Sequence, residues 1–113
     1  MSAERRKTEE RVIGLLVMFE RMSNEYRRAH AYHEITAEPM FGPRYARLVE
    51  HGPEGYGNPC IGFVNMENGD ILYPKGWAGP TKLVRGNVWA EDYGLSAFRW
   101  HGVARADEMP RKP

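Results

Sequence analysis

Between Ala3 and Arg28 the apolar residues Val12, Leu15, Leu16, Phe19, Met22 and Tyr26 recur every three or four positions, which places them on one stripe of an α-helix. Ser2 is the expected N-cap, and Glu4 puts a negative charge in the first turn, where the helix dipole favours it. Ile13, Val17 and Met18 widen the apolar face. That breadth suits a helix lying across a sheet, and it also suits one that meets a second copy of the chain, so a homo-oligomer formed through the N-terminal helix is a further expectation.

The pattern then changes. "EPMFGP", Glu38 to Pro43, reads as the end of the helical region, because proline disfavours helix at the residue before it. In "RYARLVEH", Tyr45, Arg47 and Val49 alternate with Ala46, Leu48 and Glu50, the period of a strand. "GPEGYGNP", Gly52 to Pro59, is a surface loop by composition.

"CIGFVNM" and "ILYP" flank "ENGD", and Asn68-Gly69 is a preferred pair for a two-residue type I′ hairpin turn. That register opposes Met66 to Ile71 and Val64 to Tyr73, so these four share one face while Phe63, Asn65 and Leu72 take the other. Lys75 to Val88 shows no sustained period and reads as a long ordered loop. "LSAFRWHGVA", Leu95 to Ala104, reads as a final strand with Phe98 and Trp100 opposite Arg99 and His101.

The predicted architecture is therefore α+β: one long N-terminal amphipathic helix packed on a small antiparallel sheet of three to four strands, with a long ordered loop after a β-hairpin. It forms one domain over 1–113, with the helix in 1–30, the sheet and loop in 44–104 and a frayed tail in 105–113. A length of 113 residues supports one core.

Composition narrows the functional classes. With 42% hydrophobic and 27% charged residues the chain is globular, and a net charge of +1 means that any polyanion site must come from local clustering. The longest apolar stretch, Val12 to Phe19, is too short to span a bilayer, and no secretory signal pattern is evident. No membrane association and a cytoplasmic location are expected. The lone Cys60 agrees, since a disulfide framework needs pairs.

Clustering does occur in "GDILYPKGWAGPTKLVRGNV". Between Asp70 and Glu91 the only charged residues are Lys75, Lys82 and Arg85. Gly76, Gly79 and Gly86 allow close backbone approach to a ligand, Trp77 offers a face for stacking a base, and Arg85 can grip a phosphate by two parallel hydrogen bonds. The segment is neither a P-loop nor a dinucleotide-binding fingerprint. An equally plain reading gives Trp77 to the open end of the core and Lys82 and Arg85 to solvent.

Gly69-Asp70-Ile71, Trp77, Pro80 and Arg85-Gly86-Asn87-Val88 at this spacing resemble a group of small proteins encoded widely by tailed phages and prophages, with the pattern G-D-[IV]-x(5)-W-x-x-P-x(4)-R-G-[NS]-[IV]. Tyr73 and Ala78 stand where that pattern usually carries lysines. The resemblance implies a phage or prophage accessory protein rather than a reaction. The expected function is capture of a phosphate-bearing ligand, a nucleotide or nucleic acid, for host takeover or anti-defence. The alternative is a protein-interaction module in which Trp77, Trp89 and Trp100 form a surface for a host or virion partner.

Other chemistry has weaker support in the sequence. His30, His33 and Glu34 could hold a metal if His51 or His101 converged, although the H-E-x-x-H pattern is absent and such residues also suit a helix end. Cys60 has apolar neighbours that oppose a reactive thiolate. Ser96 lacks an obvious base, and the adjacent Glu91 and Asp92 read as solvated turn residues. The N-terminal "ERRK" reads as a solvated helix face. No catalytic residue, metal or cofactor is assigned.

Overall fold

The computed structural model describes residues 2–109. Helix α1 (Ala3–Ala29) begins as expected, with Ser2 Oγ accepting the Arg5 amide at 3.0 Å. It ends at His30, and Ala31 follows with φ 58°, the left-handed conformation that commonly terminates helices.

Five strands, β1 (Thr36–Phe41), β2 (Tyr45–His51), β3 (Cys60–Asn65), β4 (Asp70–Pro74) and β5 (Pro80–Asn87), form one sheet in that order. Every neighbouring pair is antiparallel. A 3₁₀ turn (Leu95–Ala97) then leads into a short hairpin of β6 (Phe98–Arg99) and β7 (Gly102–Val103). The fold is α+β, one long helix on an antiparallel sheet, with five strands rather than three or four.

The core lies between α1 and one face of the sheet. Ala46, Leu48, Val64 and Ile71 meet Val12, Leu15, Leu16 and Phe19, and Phe98 closes one side with its ring centroid 5.3 Å from that of Phe19. Each large side chain so buried contributes about 1.5–3 kcal/mol. Ile13 and Val17, the outer margin of the apolar stripe, remain exposed.

Four expectations need correction. Residues 36–41 form a strand although Pro39 lies within it; β1 is an edge strand, where a residue lacking an N–H is tolerated. Most of Lys75–Val88 is not loop but β5, the opposite edge. Its alternation is hidden by irregular pairing, since Ile71 opposes Gly86 while Leu72 opposes Val84, leaving Arg85 bulged.

The β3–β4 register is also displaced. Val64 opposes Ile71 and Phe63 opposes Leu72, which makes a longer turn than the two-residue one expected. The displacement is two residues along the strand, so each side chain keeps its face: Val64, Met66 and Ile71 still join the core. Finally, Leu95–Ala104 folds into the 3₁₀ turn and the β6–β7 hairpin, because the chain reverses at Trp100–His101 and pairs Arg99 with Gly102. Of the tail, Ala106–Glu108 forms a 3₁₀ turn held by Glu108 to His101 and Arg105, and Pro110–Pro113 lie outside the described residues.

Candidate functional site

The Lys75–Gly79 connection between β4 and β5 curls at the tip of their hairpin, closed by a 3.0 Å bond from the Lys75 amide to the Gly79 carbonyl. Trp77 is 48% exposed there. Its backbone is held by Arg47, which alternation along β2 places on the sheet face away from the helix. Arg47 Nε donates to the Trp77 carbonyl at 2.8 Å, and its guanidinium lies 4.7 Å from the Trp77 ring centroid and 5.7 Å from that of Phe63. Arg44 stands 5.3 Å from the ring of Tyr45.

Two open depressions meet at Ala78. One, of about 670 Å³, is lined by Lys75, Gly76, Trp77, Gly79 and Pro80. The other, of about 290 Å³, is lined by Phe41, Arg44, Tyr45, Arg47 and Phe63 among others. No acidic side chain lines either one.

The fold thus brings Lys75, Gly76, Trp77 and Gly79 together and leaves Lys82, Arg85 and Gly86 outside the depression. Lys82 is exposed on β5. Arg85 turns inward: its Nε donates to the Ala104 carbonyl at 3.1 Å and its guanidinium lies 5.5 Å from the Tyr73 ring. A Cβ at Gly86 would fall 2.9 Å from that of Ala97, and Asn87 bonds to Asn68, Asp70 and the Trp89 amide. Much of the R-G-N string therefore holds the fold. By contrast, a Cβ on Gly76 or Gly79 would meet open space, and neither residue takes a positive φ. Arg44, Tyr45 and Arg47, which complete the outer face, were hidden in the sequence within an ordinary strand pattern.

The three tryptophans line three separate depressions. Trp77 faces Arg47, Trp89 faces Arg11, and Trp100 lies by Arg27, so they do not form one surface.

His30 and His51 lie apart from the other histidines. His30 bonds its own helix at Tyr26, and His51 bridges Glu38 and Asn58. Among the described residues no three His, Cys, Asp or Glu side chains could hold a metal ion. Asp92 accepts the Ser96 and Gly94 amides at 2.9 Å each, which holds its carboxyl below the usual range. It caps the 3₁₀ turn.

His33, Cys60 and His101 do converge, around a cavity of about 450 Å³ on the helix side of the sheet. Arg27, Glu50, Tyr56 and Trp100 complete much of its wall. Glu50 is 2% exposed, and burial pushes its carboxyl above the usual range despite the Tyr56 hydroxyl and the Arg27 guanidinium. Burial likewise raises the Cys60 thiol, which disfavours a thiolate nucleophile. Sequence patterning missed Glu50 because it falls in the polar–apolar alternation of a strand.

The chain matches no family model, no curated protein and no solved structure. Among the described residues no helix is long and apolar enough to cross a membrane.

Proposed function

We propose that the protein is a binding module for a phosphate-bearing ligand with an aromatic base, a nucleotide or a single nucleic-acid strand, on the outer sheet face. The observation that carries this reading is the half-exposed Trp77 indole beside Arg47 on a surface whose depressions are lined by aromatics and cations without an acid. A base stacks on Trp77, an interaction worth about 1–3 kcal/mol in single-strand binders, while Lys75 and Arg44 neutralise phosphate. The vacant space over Gly76 and Gly79 lets the ligand approach the backbone. With the likeness to tailed-phage proteins, this makes the chain a phage-type accessory protein that acts in the host cytoplasm by capturing such a ligand.

The test is fluorescence anisotropy with a labelled oligo-dT strand, with ATP as competitor, at two salt concentrations. Binding that weakens with salt and falls at least about tenfold in Trp77→Ala and Arg47→Ala supports the reading. Binding that neither variant changes refutes the site, and absence of binding by both probes refutes the ligand class. A second reading, a face for a host or virion protein, draws on the exposed Met40 and Phe41 in the depression that also touches Ala78. It predicts no response to either probe.

A further inference from the structure

Alternation along β2 carries Ala46, Leu48 and then Glu50 toward the helix, so a carboxylate stands where the core would take an apolar side chain. Its Oε1 accepts the Tyr56 hydroxyl at 2.9 Å and faces Arg27 Nη2 at 3.5 Å. Its Oε2 is buried with no hydrogen-bond partner among the described residues. Native proteins leave few such oxygens, and an apolar pair in place of a buried ion pair is often as stable or more so.

Glu50 lines the 450 Å³ cavity already described, a size typical of small-molecule sites. Arg27 is fixed from below, its Nε donating to Ser23 Oγ at 3.0 Å while its Nη2 faces Glu50. The His33 ring packs edge-on against Tyr56, with no hydrogen bond to its nitrogens among the described residues. Tyr32, Tyr56 and Trp100 supply aromatic walls. His101, the remaining titratable group at the rim, is engaged by Glu108 at 2.9 Å.

We propose that this cavity is a second binding site, for a small neutral ligand carrying an N–H donor beside a carbonyl, as lactam and ureide rings do. A turn of the Glu50 side chain brings its buried Oε2 to the cavity wall, where the ligand N–H donates to it, and the ligand carbonyl accepts from the Arg27 guanidinium or the His33 ring. Arg27 and Glu50 already balance each other, so a neutral partner completes the hydrogen bonds without adding an uncompensated buried charge. The flat ring fits between aromatic walls. The proposal does not depend on the outer-face reading, since the two sites share no residue.

The test is an amide-resolved NMR titration of the full chain with 2-pyridone, uracil and hydantoin, each alongside its fully N-methylated counterpart (N-methyl-2-pyridone, 1,3-dimethyluracil and 1,3-dimethylhydantoin). At least one parent compound is expected to shift the Tyr56 amide and Trp100 indole signals saturably, with the N-methylated form at least about tenfold weaker. Glu50→Leu should weaken the parent compound by a similar factor, and Arg47→Ala should leave it unchanged. Absence of saturable shifts from all three, or equal responses to parent and methylated forms, overturns the proposal. The methylated comparison is made on the unmodified protein, so it decides the matter even if Glu50→Leu does not fold.

Discussion

Asn24 and Ile35 exchange two hydrogen bonds of 2.8 Å: the Asn24 side-chain amide donates to the Ile35 carbonyl and its oxygen accepts the Ile35 amide. Both residues are buried, so one side chain from α1 completes the backbone that leads into β1. Asn24→Ala strands both backbone groups. The expected loss is about 2–4 kcal/mol, read as a lowered urea midpoint with an unchanged slope. A loss below about 1 kcal/mol would mean that water replaces the side chain.

Glycines separate positions the fold requires from positions it leaves open. Gly94 has φ 86°, and a Cβ there would lie 2.3 Å from Ile71 Cδ1 and 2.9 Å from the Asn87 carbonyl oxygen. Gly94→Ala should cost at least about 2 kcal/mol by backbone strain and overlap. Gly76→Ala, which meets open space, should leave thermal stability within about 0.5 kcal/mol of the parent and lower oligo-dT binding. Unaltered binding would remove Gly76 from the site.

Arg47 and Arg85 should part company in the same way. Arg85→Ala removes the bond to Ala104 and should lower stability by about 1–2 kcal/mol with a smaller effect on oligo-dT affinity. Arg47→Ala should show the larger affinity loss. If Arg85→Ala abolishes binding in a protein of unchanged melting temperature, the phosphate contact lies on β5 instead.

Two carboxyls give pH dependences of opposite sign. Glu50 is held above its ordinary value of 4.5 by burial, against Tyr56, Arg27, His101 and His33. Its contribution is therefore fully present below pH 4.5 and is lost as pH rises through the raised folded value. Glu50→Leu should gain stability relative to the parent as pH increases. Asp92, held below 3.8 by the Ser96 and Gly94 amides, contributes above that pH and loses its contribution as pH falls through the lowered folded value. Asp92→Ala should be destabilised near neutrality and approach the parent in acid. Urea titrations from pH 3 upward check both signs.

The helix and its cap, the β2 alternation and the faces of the β3–β4 hairpin were legible because each depends on neighbours a few residues apart. Even the misplaced hairpin register left Val64, Met66 and Ile71 in the core, since a shift of two preserves strand faces. At the outer face, the Lys75–Gly79 half of the expected cluster is assembled at Trp77. Arg44 and Arg47 were not evident, because strand periodicity says which face a residue takes and not what lies across from it.

The sequence by itself determined where apolar periodicity builds a helix and which side of each regular strand is buried, because local geometry repeats every 3.6 or two residues. Tertiary structure decided that β1 and β5 join the sheet as edges, that Arg85 turns inward to Ala104, and that Arg27, Glu50 and Tyr56 meet around one cavity. Those outcomes rest on irregular strand pairing, on contacts such as Arg27 to Glu50 and Arg85 to Ala104 that join distant parts of the chain, and on desolvation, which no repeating local pattern encodes.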